Sequence, residues 1–114
     1  MLKVITLVGT RPEIIRLSET IKLFDKVFDH KLIHTGQNFD TQLSDVFFGE
    51  FELKKPYRYL NCSKSSAIKT IAAVLEKFED VLDEILPDCV VILGDTNSAL
   101  GAYVAKRKKI ENLF

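Results

Sequence analysis

The chain has 114 residues, of which 46% are apolar, and its 16 basic and 16 acidic residues leave no net charge. This length allows one buried core and leaves no room for a second domain, so residues 1–114 form one domain or part of one. The balanced charge gives no reason to expect nucleic acid or a membrane surface as a partner, and any anion recognition must be local. No stretch approaches the ~20 apolar residues that span a bilayer, and the N-terminus lacks a small-residue cleavage site, which indicates a cytoplasmic protein.

The two cysteines carry no recognisable motif. Cys62 and Cys89 lack CxxC spacing and lie in different predicted elements. A reducing compartment, with neither a disulfide nor a metal site at these residues, is the simpler interpretation.

The first predicted element is a buried parallel strand over residues 2–8, because this run is almost entirely apolar and ends at Gly9. A helix should follow directly. Thr10 can cap it, and Pro12 and Glu13 are residue types that the first turn of a helix favours. We therefore expect Glu13 to cap this helix rather than to react.

Arg11 lies at the corner between this strand and this helix. Such a corner offers unpaired backbone N–H groups and positive potential, and a guanidinium group adds a bidentate clamp for phosphate or carboxylate. The sequence therefore predicts an anion site at Arg11. A solvated surface charge is the alternative for one isolated arginine.

Strand and helix patterns then alternate to the end of the chain, without repeats or low-complexity segments. The apolar spacing predicts, in order, a strand over 31–35 that ends at Gly36, a short helix around 43–47, a brief strand over 57–60, a helix of about five turns over 68–85, a strand over 89–93 and a last helix through 100–105. Ser65 or Ser66 should cap the long helix and Pro87 should end it.

This alternation predicts an α/β fold, a Rossmann-like doubly wound parallel sheet with strand order 3-2-1-4. In that order the first and fourth strands are neighbours where the winding reverses, and ligands of such sheets bind beyond the carboxyl ends of those strands. The corner after the first strand should then face Asp95, in the corner after the fourth, although Asp95 alone could be a helix cap. The predicted substrate-binding residues are Gly9, Thr10, Arg11, Gly94, Asp95, Thr96 and Asn97.

Other polar and aromatic residues receive structural interpretations. His34 ends the second strand and could face the cleft, but a hydrogen-bonded structural histidine is favoured. Three aromatic residues, Phe47, Phe48 and Phe51, are expected in the core or at a domain contact. The basic run 106–109 is expected to be a solvated helix end.

Several segments together resemble a known family. "VGTRPEIIRLS", "HTGQNFD", "VFF" and "PDCVVILGDTNSALGAYVAKR" are similar to the N-terminal domain of the non-hydrolysing UDP-N-acetylglucosamine 2-epimerases, most closely the branch that serves capsule and O-antigen sugar synthesis. The resemblance runs from Leu2 to about Lys109. It implies the N-terminal half of a glycosyltransferase-B-like fold, with substrate between two Rossmann-type domains and with no metal or redox cofactor. It also implies inversion of carbon 2 of a UDP-linked amino sugar, through loss and re-addition of UDP.

The resemblance assigns roles to individual residues. Arg11 matches the family arginine at the departing diphosphate, and Asp95 matches an aspartate that helps with proton transfer or holds the sugar. Arg16 stands where many members carry lysine, which changes reach and donor geometry. Gln37 corresponds to a glutamine in the activator-nucleotide pocket of some relatives, but Asn38 replaces the usual histidine, which puts that allosteric site in doubt.

The resemblance ends near Ile110, before the further acids and the UDP-binding second domain that the family carries. We therefore expect the 114-residue chain alone to be inactive, and to need a homo-oligomer or a partner that supplies the missing domain. The fourth strand should expose an unpaired outer edge and promote self-association. A non-catalytic nucleotide-sugar-binding or self-associating remnant is the alternative. A receiver-like signalling domain is disfavoured because the first strand is followed by Arg11 and Pro12 rather than by clustered acids.

Overall fold

The computed structural model describes residues 1–36, 41–62, 64–92 and 100–113, and for residues 41–45 and 112–113 it describes the backbone alone. The elements in chain order are β1 (Lys3–Val8), α1 (Arg11–Val27), β2 (Asp29–His34), α2 (Thr41–Glu50), β3 (Arg58–Tyr59), α3 (Ala67–Ile85), β4 (Cys89–Ile92), α4 (Gly101–Arg107) and β5 (Glu111–Leu113). None of the described helices is long and apolar enough to cross a membrane.

The strands form one parallel sheet in the order β3-β2-β1-β4-β5. The predicted 3-2-1-4 arrangement is confirmed, and β1 lies between β2 and β4. At the carboxyl end of β1, Val8 is paired with His34 and Leu7 with Ile92. The loops that follow these three strands therefore start at the same edge of the sheet.

The expectation that the outer edge of β4 lacks a partner in this chain is wrong. β5 pairs in parallel with β4, with Cys89 opposite Glu111 and Val91 opposite Leu113. Lys109 makes this possible, because its left-handed φ of 59° lets the chain turn sharply and the Ile110 N–H donate to a carbonyl five residues back, at 2.9 Å. The reason for predicting self-association through β4 therefore no longer holds.

The core is divided between the two faces of the sheet, as a doubly wound fold requires. One buried cluster packs α3 and α4 against the sheet around Phe78, and the other packs α1 and α2 around Ile14 and Phe48. Phe47 and Phe51 are half-buried against the second cluster, so the core prediction for the three phenylalanines is correct.

The long helix α3 follows its predicted pattern except in its first turn. Ser66 is its N-cap and accepts a hydrogen bond from the Lys69 N–H, while Leu86 ends it in a left-handed conformation. Ile68, the first apolar residue of the helix predicted over 68–85, is 74% exposed. It lies in the first turn, before the buried residues of α3 begin at Ala73, so the core does not reach it.

A buried chain of hydrogen bonds joins β1, β2 and α1 at His30. Its Nε2 lies 2.7 Å from the Thr6 hydroxyl, and its Nδ1 lies 2.7 Å from Asp25 Oδ1. Burial lowers the pKa of His30 below its usual value, although the Asp25 carboxylate opposes this shift. The neutral ring therefore donates from Nδ1 to Asp25 and accepts the Thr6 hydroxyl proton at Nε2.

Candidate functional site

The corner between β1 and α1 is built by Thr10 and Glu13. Thr10 is the N-cap in an extended conformation, and its hydroxyl oxygen accepts a hydrogen bond from the Glu13 N–H at 3.4 Å. The Glu13 side chain bonds back to the cap, which completes a capping box. The expected capping roles of both residues are confirmed.

The Glu13 side chain takes two backbone donors that this corner was expected to offer to an external anion. Its Oε2 accepts hydrogen bonds from the backbone N–H groups of Gly9 and Thr10, both at 2.7 Å, and from the Thr10 hydroxyl at 3.1 Å. The residue is only 1% exposed. The expectation of unpaired N–H groups at this corner is therefore wrong for Gly9 and Thr10, because a carboxylate of the chain itself has taken them.

Arg11 is the part of the corner that faces outward. The residue is exposed, and within the described residues its backbone N–H has no hydrogen-bond acceptor. Its guanidinium carbon lies 5.2 Å from the centre of the Phe47 ring. This distance is that of a cation–π contact, and a guanidinium group with five N–H donors keeps donors for a phosphate or carboxylate in such a contact. Arg11 can therefore bind an anion while Phe47 holds it in place.

Arg16 does not share that position. It is exposed on α1, five residues after Arg11, which places it roughly 140° around the helix axis. It shares a face instead with Glu13, three residues earlier. The two arginines therefore do not form one clamp on a single face of α1.

His34 lies beside this corner at the carboxyl end of β2. The Gly36 N–H donates to its Nδ1 at 2.9 Å, and the Tyr59 ring lies 5.1 Å away between ring centres. Burial lowers the pKa of His34, against the opposing effect of the Glu13 carboxylate. A Cβ on Gly36 would lie 2.8 Å from His34 Cε1, so the close approach of the ring requires glycine there. The predicted hydrogen-bonded histidine is confirmed.

The second predicted corner is described only at its two flanks. Ile92, the last residue of β4, is paired with Leu7. At the start of α4, a Cβ on Gly101 would lie 2.4 Å from Leu7 Cδ2, so the start of α4 is in close contact with β1. The connection from β4 to α4 therefore leaves and returns beside the carboxyl end of β1. Four predicted site residues lie outside the described residues, namely Gly94, Asp95, Thr96 and Asn97, and so does the predicted allosteric residue Gln37.

Two contacts of this site were not predicted from the sequence: the Arg11–Phe47 stack and the hydrogen bond that fixes the His34 ring. Phe47 is distant from Arg11 in sequence, and no local pattern joins them. The His34 contact had a local signal, because a glycine two residues after a histidine permits a close ring-to-backbone approach. Within the described parts of the chain, no three His, Cys, Asp or Glu residues are grouped as metal ligands.

Comparisons with known proteins place this site in context. The family model described as UDP-N-acetylglucosamine 2-epimerase matches residues 22–112. The chain is 38% identical over 112 residues to the UDP-N-acetylglucosamine 2-epimerase of Methanocaldococcus jannaschii, covering 96% of this chain and 31% of that protein. It is 31% identical to the UDP-2,3-diacetamido-2,3-dideoxy-D-glucuronate 2-epimerase of Pseudomonas aeruginosa, covering 94% of this chain and 31% of that protein.

Solved structures give the same result. The UDP-N-acetylglucosamine 2-epimerase of Rickettsia bellii is 47% identical with a TM-score of 0.89, covering 98% of this chain and 30% of that chain. The M. jannaschii enzyme in complex with UDP-GlcNAc and UDP is 38% identical with a TM-score of 0.86, covering 97% of this chain and 31% of that one. The chain thus spans about 30% of the length of the relatives that it matches.

Proposed function

Because the chain belongs to the UDP-N-acetylglucosamine 2-epimerase family, we propose that it forms the N-terminal part of an epimerase cleft and binds the diphosphate of a UDP-linked amino sugar at Arg11. The observation that carries this proposal is the Arg11 corner, where an outward guanidinium group and an N–H without an acceptor among the described residues stand at the junction of β1 and α1. That junction lies at the carboxyl end of β1, which is flanked by the parallel strands β2 and β4, and doubly wound sheets bind ligands at this edge.

The proposed reaction inverts carbon 2 in two halves. A base removes the C2 proton while the bond from C1 to the diphosphate oxygen breaks, so that UDP leaves and a glycal-like intermediate forms. UDP then adds back at C1 and a proton is delivered to the opposite face of C2. Negative charge develops on the departing diphosphate, and a cation held beside it stabilises that charge most where water is excluded. We assign this role to Arg11, while a role for Arg16 stays a prediction because Arg16 lies roughly 140° around α1 from Arg11.

Asp95 completes the proposed site. The carboxyl end of β4 lies beside that of β1, and in the sequence Asp95 follows β4 by three residues. We propose that Asp95 transfers a proton at C2 or holds the sugar, and that Gly94, Thr96 and Asn97 contact the substrate beside it. An allosteric role for Gln37, a cytoplasmic location and a product used in surface polysaccharides stay predictions.

Turnover requires more of the family fold than this chain contains. The relatives are about three times as long, and a half-open cleft does not exclude water from a reactive intermediate. We propose that a longer chain or a partner chain supplies the rest, including the uridine contacts. Self-association is less favoured than the sequence suggested, because β5 covers the edge of β4.

Proton exchange at C2 tests the catalytic proposal. UDP-N-acetylglucosamine is incubated in heavy water with this chain, with and without a second chain that carries the remaining part of the family fold, and deuterium at C2 is followed by NMR. We expect exchange only in the combined sample, and at least a tenfold slower rate with Arg11→Ala, the loss of about 1.4 kcal/mol of stabilisation. Equal rates with Arg11→Ala and wild type would contradict the role of Arg11.

A nucleotide-sugar-binding protein without turnover is the second candidate, favoured by the outward donors of Arg11. Calorimetry with UDP separates the two candidates: UDP binding that depends on Arg11, without C2 exchange in any combination, supports this one. Arg107→Ala is the matched control. Arg107 is also an exposed arginine, but it lies in the last turn of α4, away from the carboxyl ends of the strands.

A further inference from the structure

The corner leaves fewer donors for an anion than its sequence suggests. Glu13 has taken the N–H groups of Gly9 and Thr10. Of the donors expected there, Arg11 keeps its guanidinium group and its own N–H. A diphosphate presents several anionic oxygens, so a complete site needs at least one further donor from a neighbouring element.

His34 carries such a donor, and its position on the ring is fixed. Because Nδ1 accepts a hydrogen bond from the Gly36 N–H, it holds a lone pair, and the proton of the neutral ring must be on Nε2. Among the residues that the structure describes, Nε2 has no acceptor. His34 is half-buried, and its Nε2–H is therefore a donor that an oxygen from outside the described residues can use.

The same ring is placed against the Arg11 corner by the register of the sheet. His34 is paired with Val8, and the next residue, Thr35, donates its N–H to the Val8 carbonyl at 2.9 Å. Side chains that are paired in parallel strands point to the same face, and Val8 packs in the cluster under α1. The Glu13 carboxylate is close enough to act electrostatically on the ring. His34 therefore stands beside the first turn of α1.

We propose that His34 is a binding residue whose Nε2–H donates a hydrogen bond to a phosphate oxygen of the nucleotide sugar held by Arg11. This inference rests on the proposed function and adds to it a second side-chain donor from β2. A phosphate oxygen is the favoured acceptor because the neighbouring Arg11 donors select for negative charge.

Two substitutions separate donation from structure. His34→Asn keeps an acceptor for the Gly36 N–H but does not reach the position of Nε2, whereas His34→Gln places an amide N–H near that position. Titration of the full chain with UDP should show affinity reduced about tenfold to a hundredfold in His34→Asn and largely restored in His34→Gln. Uridine, which has no phosphate and whose contacts we assign to the rest of the family fold, should give no signal that differs between the variants and wild type.

NMR of the ring nitrogens gives a direct readout. The chain has two histidines with opposite predicted tautomers: His30 carries its proton on Nδ1, and His34 carries it on Nε2. Addition of UDP should shift the Nε2–H signal of His34 and couple it to phosphorus, while the His30 signals stay in place.

The outcomes are distinct. If UDP binding depends on Arg11 but is unchanged in His34→Asn, the inference about His34 is wrong and the proposed function stands. If His34→Asn and His34→Gln weaken binding equally, the role of His34 is structural and the inference also fails. If wild type binds no UDP, or if Arg11→Ala binds UDP as tightly as wild type does, the proposed function is wrong. The inference about His34, which rests on that function, is then wrong as well.

Discussion

Replacement of Glu13 tests the internal structure of the corner. Its Oε2 accepts two backbone N–H bonds of 2.7 Å in a site that is 1% exposed. Hydrogen bonds to a charged group contribute about 1.5–3 kcal/mol each and neutral ones about 0.5–1.5 kcal/mol. Glu13→Gln retains an oxygen acceptor but loses the charge, so the two bonds together should weaken by roughly 2–3 kcal/mol.

Urea unfolding followed by circular dichroism measures this loss. With a slope of about 1–3 kcal/mol per molar, the midpoint for Glu13→Gln should fall by roughly 1–2 M relative to wild type. Glu19→Gln is the control, because Glu19 lies on the same helix with its side chain 86% exposed and forms an ion pair with Lys22. Its midpoint should stay within the equivalent of about 0.5 kcal/mol. Equal shifts in the two variants would refute the proposed role of the buried carboxylate.

Two further predictions concern pH and packing. Burial lowers the pKa of both His30 and His34, so the unfolded state binds more protons than the folded state as pH falls through about 6.5. The free energy of unfolding should therefore be highest above about pH 7 and decline below that value, with a flatter pH profile in His30→Gln. A rise in the free energy of unfolding on acidification would contradict this prediction. Gly101→Ala should destabilise by roughly 1–3 kcal/mol, because its Cβ would lie 2.4 Å from Leu7 Cδ2. Gly49→Ala in α2, where a Cβ meets nothing within 4 Å, should stabilise the fold by about 0.5–1 kcal/mol. Thermal unfolding measures both variants, and equal changes in their unfolding temperatures would show that the contact at Gly101 is not tight.

Much of the fold follows from patterns that are local in sequence. Buried parallel strands are apolar on both faces, so β1 and β4 stand out, and the apolar spacing of α3 marks a helix that covers the sheet. The amino end of β2 was missed because Asp29 and His30 are polar. Thr6 and Asp25 satisfy the ring nitrogens of His30 in this position, and both contacts join separate elements.

β5 could not be recognised from its own residues. It is short, it begins at Glu111, and it pairs along one side only, so neither apolar content nor alternation marks it. The turn that leads to it has a left-handed Lys109 where helix ends usually carry glycine. The strand forms because α4 ends at a position from which the chain can reach the open edge of β4, which is a property of the whole fold.

The candidate site was harder to predict, because the residues that cap α1 also change which donors are left for a ligand. The sequence correctly predicted that Thr10 and Glu13 cap α1, but the capping box that they form also satisfies the N–H groups of Gly9 and Thr10. The proposed anion site therefore depends on the donors that the capping box leaves unused rather than on the helix N-terminus as a whole. Stability and ligand binding should consequently be separable here: Glu13 variants change unfolding, and Arg11 variants, whose guanidinium group stacks on Phe47 at the surface, change affinity.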